Sequence, residues 1–457
     1  MHKMGRRLRQ ILTRLWIVLL IGGTVLLPAR ALEPVSLKDA VALPEAPPIQ
    51  SDYAILMEMK SGAILYEKNA RQKAFPASIT KIMTGLLTIE NCALSENVTF
   101  SYRATHEIPA GSSHIARTEG EIMTVEECLY GMLVASANEV AQGLAEHISG
   151  SLESFASLMT LRAYELGAVN TNFTNAHGFY EAEHYTCAYD MALIMQEALK
   201  HETLKSIMGT EKYQIPPTNK HNEITYLQMK HPLLSNVQDM KYPYALAGKT
   251  GYTDESLNTL VTYARQGDLD LICVVMHAPG SKATGEDSVA LFNYGFQNFR
   301  CLSLSSAESI LQNRQDNILS GDLLHLTYSS DAWCTLPAEM SLADLRSEII
   351  LLGGSEENAL AVRIYYIGEQ EVGRCLLSAS PRESIIQMTP VVRVEPSRNE
   401  ILRQVHLGLP LIYWILIGGG VVLLLIFLFL FLFVRRYLRR QKRRREQDKR
   451  ALNRIAE

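Results

Sequence analysis

Strand-like segments enclose a helix-rich block from both ends, and this pattern constrains the fold more than any other feature of the chain. Tyr53–Met59 and Ala63–Glu67 read as a hairpin around Ser61-Gly62. A helical stretch follows from about Ile79 to His201. Within it, Glu121–Ala145 repeats apolar residues at intervals of three and four, as a buried helix pair does. Much later, Leu271–Met276 is an unbroken apolar run that reads as a central strand. Segments so distant in sequence share one sheet only through non-local pairing. The expected class is α/β, with helices packed on that sheet.

After about Arg300 the pattern changes. Asp322–Tyr328, Ser347–Leu352, Ala359–Ile367, Val372–Leu377 and Gln387–Val394 alternate or are β-branched, with Gly353-Gly354 and Gly368-Glu369 as turn signals. A small all-β domain over 301–395 is expected. It carries no recognisable chemistry and reads as a spacer. Residues 396–410 connect it to the C-terminal apolar segment.

The ends of the chain are different again. Lys3, Arg6, Arg7, Arg9 and Arg14 precede a mostly apolar, uncharged stretch from Leu15 to Leu27, closed by Ala29-Arg30-Ala31. That is the form of a secretory signal over 1–31, with the mature chain starting at Leu32. An uncleaved anchor is the rival reading, but the apolar stretch is short for a span. Residues 32–50 hold Pro34, Pro44, Pro47 and Pro48 and read as a linker. Leu411–Val434 has 24 residues without a charge, enough to cross a membrane. Tyr413 and Trp414 stand at its start, where an aromatic belt belongs. Arg435, Arg436, Arg439, Arg440, Lys442, Arg443, Arg444 and Arg445 come next, so the tail 435–457 is expected in the cytoplasm and the rest outside. The expected location is the cell membrane, single-pass, with membrane lipid as a partner of the basic tail.

Charge is partitioned in the same way. Without the two basic ends, residues 32–434 hold 27 Lys/Arg against 45 Asp/Glu, a net of −18. An acidic exterior argues against a nucleic-acid partner. The seven cysteines include no C-x-x-C pair, so neither a zinc site nor a redox motif is expected, and no cofactor. Their number is odd and their spacing sparse, which suits small buried hydrophobes.

Three short strings carry the chemistry: Ser78-Ile79-Thr80-Lys81, Ser136-Ala137-Asn138 and Lys249-Thr250-Gly251. A Ser-x-x-Lys alone occurs by chance roughly once or twice in such a chain, so the ordered set is the signal. Pro76 marks a helix start, which puts Ser78 near a helix N-terminus, where developing negative charge is favoured. Lys81, three residues on, shares its face. A neutral Lys81 amine could take the serine proton if burial and a second cation such as Lys249 depress its pKa. Taken alone, this pair reads better as an N-cap and a solvated lysine. Ser136 and Asn138 interrupt an apolar stretch, so their side chains need partners. A helix kink explains them as well as a proton relay (Ser136) and a bond to Lys81 and substrate (Asn138). Lys249 and Thr250 suit a carboxylate, and Gly251 leaves room for a ligand beside the backbone. An ordinary hairpin strand is the alternative.

With these strings in place, the chain resembles the low-molecular-weight penicillin-binding proteins that are D-alanyl-D-alanine carboxypeptidases. The resemblance runs from about Tyr53 to Phe299. It includes Ser61-Gly62-Ala63-Ile64-Leu65-Tyr66-Glu67-Lys68-Asn69-Ala70, Pro76 to Thr84, Leu144 to Gly150, Asn175-Ala176-His177-Gly178-Phe179 and Ala188-Tyr189-Asp190-Met191-Ala192. It implies a DD-peptidase/β-lactamase-like catalytic domain over 51–300 and a C-terminal membrane attachment, here a full transmembrane helix. It implies peptidoglycan stem peptide as substrate and β-lactam antibiotics as inhibitors. It further implies an oxyanion hole from the backbone N–H groups of Ser78 and Tyr252, and a secondary role for His177. Three departures stand out. The family commonly has Asp at Glu139 with a small residue at Val140, Pro at Ala176, and Ala-Gly at Ser256-Leu257, where the bulk is expected to affect rate or substrate fit. The competing functions are a β-lactamase or endopeptidase of the same fold, and an envelope scaffold that binds penicillin or wall peptide with little turnover.

Overall fold

β1 (Tyr53–Glu58) and β9 (Leu269–Ala278) are apolar on nearly every residue, because both faces of their sheet are covered. They pair antiparallel, with Leu56 opposite Cys273, which closes the two ends of the block as expected. The full order is β2-β1-β9-β8-β7, where β2 is Ile64–Lys68, β7 Ala245–Thr253 and β8 Leu257–Gln266. β9 is therefore central and β7 lies at an edge. The computed structural model describes residues 45–236, 239–304, 324–328, 332–352 and 359–381. The expected signal, the span Leu411–Val434, the basic tail and the strand Gln387–Val394 lie outside these residues. Among the described residues, no helix is long and apolar enough to cross a membrane.

Between β2 and β7 the chain builds a helical lobe. Its elements are α1 (Lys81–Asn91), β3 (Asn97–Thr99), α2 (Tyr102–His106), β4 (Ile122–Thr124), α3 (Val125–Val134), α4 (Asn138–Ser149), α5 (Leu152–Glu165), α6 (Ala188–Ala198), α7 (Glu202–Met208), β5 (Lys212–Ile215) and β6 (Thr225–Gln228). The expected helix pair is α3 and α4. Thr124 and Glu127 form a reciprocal capping box that starts α3. Ile55, Met57, Ile272, Val274 and Met276 point into this lobe and pack with Ile82, Met83, Leu86 and Met191. The alternate residues Ala54, Leu56, Leu271, Cys273 and Val275 face the other way. There they meet Leu291 and Phe292 of α8 (Ser281–Asn298).

The β-rich region continues from α8 without a break. Its strands are β10 (Phe299–Ser303), β11 (Leu324–Tyr328), β12 (Trp333–Pro337), β13 (Arg346–Leu351), β14 (Ala359–Ile367) and β15 (Gln370–Pro381). They form an antiparallel sheet in the order β10-β12-β15-β14-β13, with β11 on β15. The sequence pattern does not separate β10 and β12. Cys334 and Leu336 of β12 belong to the same core as α8, and the Ser61 and Thr335 hydroxyls bond at 2.7 Å. The region thus extends the core that α8 forms on the second face of the five-stranded sheet, a role that a spacer does not require. None of the seven cysteines is in a disulfide, and six are buried.

Candidate active site

Ser78 does not lie in an α-helix. It sits in a 3-10 turn, Ala77–Thr80, and α1 begins at Lys81. In a 3-10 turn, residues three apart eclipse, which brings Lys81 Nζ to 2.9 Å from Ser78 Oγ. Ala77 is held at φ +50, a left-handed conformation unusual for a side chain with a Cβ. Two glycines permit the crowding around it. A Cβ at Gly178 would lie 1.8 Å from Ala77 O, and one at Gly251 would lie 2.8 Å from Ser78 N. The sequence suggests that Gly251 leaves room for a ligand. The space is instead taken by the serine's own backbone and by Thr259, whose hydroxyl donates to Pro76 O at 2.9 Å.

Lys81 is wholly buried, and its Nζ has three partners. These are Ser78 Oγ, Asn138 Oδ1 at 2.6 Å and His177 O at 2.7 Å. Burial holds its pKa well below 10.5, and the Lys249 charge lowers it further, while Glu139 opposes them. A neutral amine has two N–H donors and one lone pair. The amide and peptide oxygens can only accept, so they take both N–H groups. The lone pair is left for the Ser78 hydroxyl.

Ser136 and Asn138 lie at the junction of α3 and α4, as the apolar stretch around them suggests. Ser136 is at φ +64, and Asn138 opens α4, its N–H donating to Ser113 O at 2.9 Å. Ser136 Oγ accepts from Lys249 Nζ at 3.0 Å. Among the described residues it makes no hydrogen bond to Ser78 or Lys81. Lys249 also donates to Thr250 O at 2.9 Å. It is only 2% exposed, and burial lowers its pKa to about 7, with Lys230 adding to the effect. The sequence places Lys249 against a substrate carboxylate, yet it lies behind Ser136 and Thr250. Lys230 is the cation that lines the cleft wall, and nothing in the sequence singles it out.

The cleft has a volume of about 560 Å³. Ser78, Ser136, Asn138, Thr250, Gly251 and Tyr252 line it. Tyr252 is exposed, with its hydroxyl on Asp254 at 2.9 Å. β7 is a sheet edge, so its outer backbone groups face the cleft unpaired by a strand. His177 meets Lys81 through its carbonyl. Its ring is buried and uncharged, its pKa held well below 6.5 by burial and by Lys81. Nδ1 accepts from Phe179 N–H at 3.1 Å, which is a loop-holding role.

The departures now have local meanings. Glu139 is buried and accepts from Ile115 N–H at 2.7 Å, fastening the loop that carries Ser113. Ser256 does not add bulk to the cleft: it is buried, and it exchanges hydrogen bonds with Thr253 across the β7–β8 turn. Leu257 stands at φ +48, a conformation that costs roughly 1–2 kcal/mol in a residue other than glycine. Thr259 and Lys230 escape a reading of the sequence, since each is an ordinary residue until the fold brings its neighbours close.

Comparison with known proteins gives a consistent picture. A profile of the D-alanyl-D-alanine carboxypeptidase family matches residues 40–280. The D-alanyl-D-alanine carboxypeptidase DacF of Bacillus subtilis is 37% identical over 253 residues, covering 54% of this chain and 62% of its own length. DacC of Escherichia coli, of the same activity by name, is 32% identical over 267 residues, covering 57% of this chain and 64% of its own. The chain therefore spans under two thirds of these relatives. Penicillin-binding protein 5 of Haemophilus influenzae superposes with a TM-score of 0.59 at 23% identity, over 73% of this chain and 98% of that one. At that identity the likeness speaks for the fold.

Proposed function

This chain belongs to the D-alanyl-D-alanine carboxypeptidase family, and on that premise we propose that it removes the terminal D-alanine from peptidoglycan pentapeptide stems through a serine acyl-enzyme that penicillin also forms. The observation that carries this reading is the partner set of Lys81. Two acceptor-only oxygens occupy its N–H groups and leave the lone pair to Ser78.

In the proposed reaction, Ser78 Oγ attacks the carbonyl carbon of the penultimate D-alanine as its proton passes to Lys81 Nζ. The backbone N–H groups of Ser78 and Tyr252 stabilise the oxyanion. The C–N bond breaks, and D-alanine leaves with a proton on its amine. Water then cleaves the ester and restores the serine. Asn138 orients Lys81. Lys249 supplies positive potential through Ser136 and Thr250, while Thr250 meets the substrate carboxylate.

The test is D-alanine release from a pentapeptide by the purified chain, with Ser78→Ala beside it. Release by the wild type alone is expected, together with loss of fluorescent-penicillin labelling in the variant. Labelling of the wild type without release would instead identify a penicillin-binding scaffold. The proposed setting is the outer face of a cell membrane, anchored by Leu411–Val434, with the arginine-rich tail inside against anionic lipid. A C-terminal tag accessible from outside intact cells would overturn that topology.

A further inference from the structure

Three metal-ligating side chains meet at the far ends of the two helices that carry Lys81 and Asn138. Cys92 caps the C-terminus of α1, and His147 lies in the last turn of α4. Glu96 sits in the chain leading into β3. His147 Nε2 is 3.1 Å from Glu96 Oε2, and one ligand atom from each of the three lies within 4.8 Å of the others. The other Glu96 oxygen accepts from Ala93 N–H at 2.6 Å, which fixes how the carboxylate is presented. Both helices end here, so the negative poles of two helix dipoles favour a cation at this point.

We propose that Cys92 Sγ, Glu96 Oε2 and His147 Nε2 bind a divalent transition-metal ion of the zinc class, with water as the fourth ligand. A thiolate, an imidazole and a carboxylate are the ligand types zinc takes. Thiolate and carboxylate together balance the double charge, and the thiol proton passes to solvent as the metal–sulfur bond forms. The 3.1 Å between His147 Nε2 and Glu96 Oε2 already suits metal–ligand bonds of roughly 2.0–2.3 Å, so the adjustment needed is that Cys92 Sγ and this pair approach each other. Glu96 and His147 are exposed side chains with room to do so. Nothing in the sequence hints at this site, because its ligands belong to no C-x-x-C pattern and His147 is far along the chain. The role is structural. α1 starts at Lys81 and α4 at Asn138, so an ion between their C-termini clips together the two elements whose N-termini share the Lys81–Asn138 bond. The site does not depend on which reaction the cleft performs.

The test uses the full chain in detergent micelles, stripped with a chelator and titrated with cobalt chloride and then zinc chloride. One cobalt per chain is expected, with a thiolate-to-cobalt charge-transfer absorption that zinc abolishes and a rise in melting temperature with either ion. Cys92→Ser should remove the absorption, and Cys92→Ser and His147→Gln should each weaken zinc at least about tenfold, the scale reached by losing even an outer partner. Both variants alter accessible side chains, and both should melt like the wild type without metal, which separates lost binding from lost folding. No stoichiometric binding, an absorption that survives in Cys92→Ser, or zinc affinity unchanged in His147→Gln would overturn the site.

Discussion

The two sides of the cleft each bury a lysine, but they hold it differently. On the helical side, Lys81 is wholly buried among one hydroxyl and two acceptor-only oxygens. On the strand side, Lys249 is held by one hydroxyl and one carbonyl, and its pKa falls to about 7. Burial is the leading cause of the lowered pKa in both. Only Lys81 touches the serine. The difference teaches that depressing a lysine pKa does not by itself make a base. In the proposed reaction, the base is the lysine whose N–H groups are already committed and whose lone pair faces the nucleophile. Lys249 serves Lys81 instead, since its charge helps to hold the Lys81 amine neutral.

The comparison is most easily broken at Lys81. Arginine keeps the charge but does not lose a proton near neutral pH. Lys81→Arg should lower the penicillin acylation rate by roughly a thousandfold, within the usual reach of a general base. Folding is checked by thermal melt. A rate near that of the wild type would remove Lys81 from the role of base.

Lys249→Arg should do less harm, because a cation remains behind Ser136 and Thr250. Its acylation rate should exceed that of Lys81→Arg by at least roughly tenfold, about 1.4 kcal/mol of barrier. Equal losses in the two variants would erase the distinction between the sides of the cleft.

The subtlest change is Asn138→Asp. It keeps the shape but sets a carboxylate where an amide oxygen now lies 2.6 Å from Nζ. An opposite charge favours the ammonium, so the Lys81 pKa rises from its depressed position. The neutral amine is lost as pH falls through that pKa, so the acidic limb of the acylation profile should move to higher pH. On that limb the rate near neutrality should drop about tenfold for every pH unit the limb moves, and recover in alkaline buffer. A limb that stays in place or moves to lower pH would mean that Lys81 protonation does not limit acylation.

Much of the fold can be read from periodicity. The hairpin at Ser61-Gly62, the α3–α4 pair and the central strand β9 all carry apolar patterns set by which faces are covered. β10 and β12 cannot be read so well, because short strands of mixed pattern acquire their pairing from α8 and from the catalytic sheet rather than from their own residues. The three motifs point to the cleft, and the fold joins Ser78, Lys81 and Asn138 by hydrogen bonds and pairs Lys249 with Ser136, which lines the same cleft. One detail differs from the expectation. Ser78 lies at a helix start as expected, in the 3-10 turn that leads into α1, but Lys249 lies behind the cleft wall rather than on it.

By itself the sequence determined the ingredients: a serine three residues before a lysine, a polar pair inside an apolar stretch, a Lys-Thr-Gly string, and apolar runs that demand burial on two faces. These are local facts, governed by spacing and composition. Tertiary structure decided how each group behaves. A lysine pKa depends on what surrounds the amine, and the surroundings of Lys81 come from Asn138, His177 and Lys249, all distant in sequence. The close approaches at Gly178 and Gly251 are equally non-local, since the atoms that fill the missing Cβ positions belong to other segments. The convergence of Cys92, Glu96 and His147 has the same origin, because two helices that begin together at the cleft also end together at the surface.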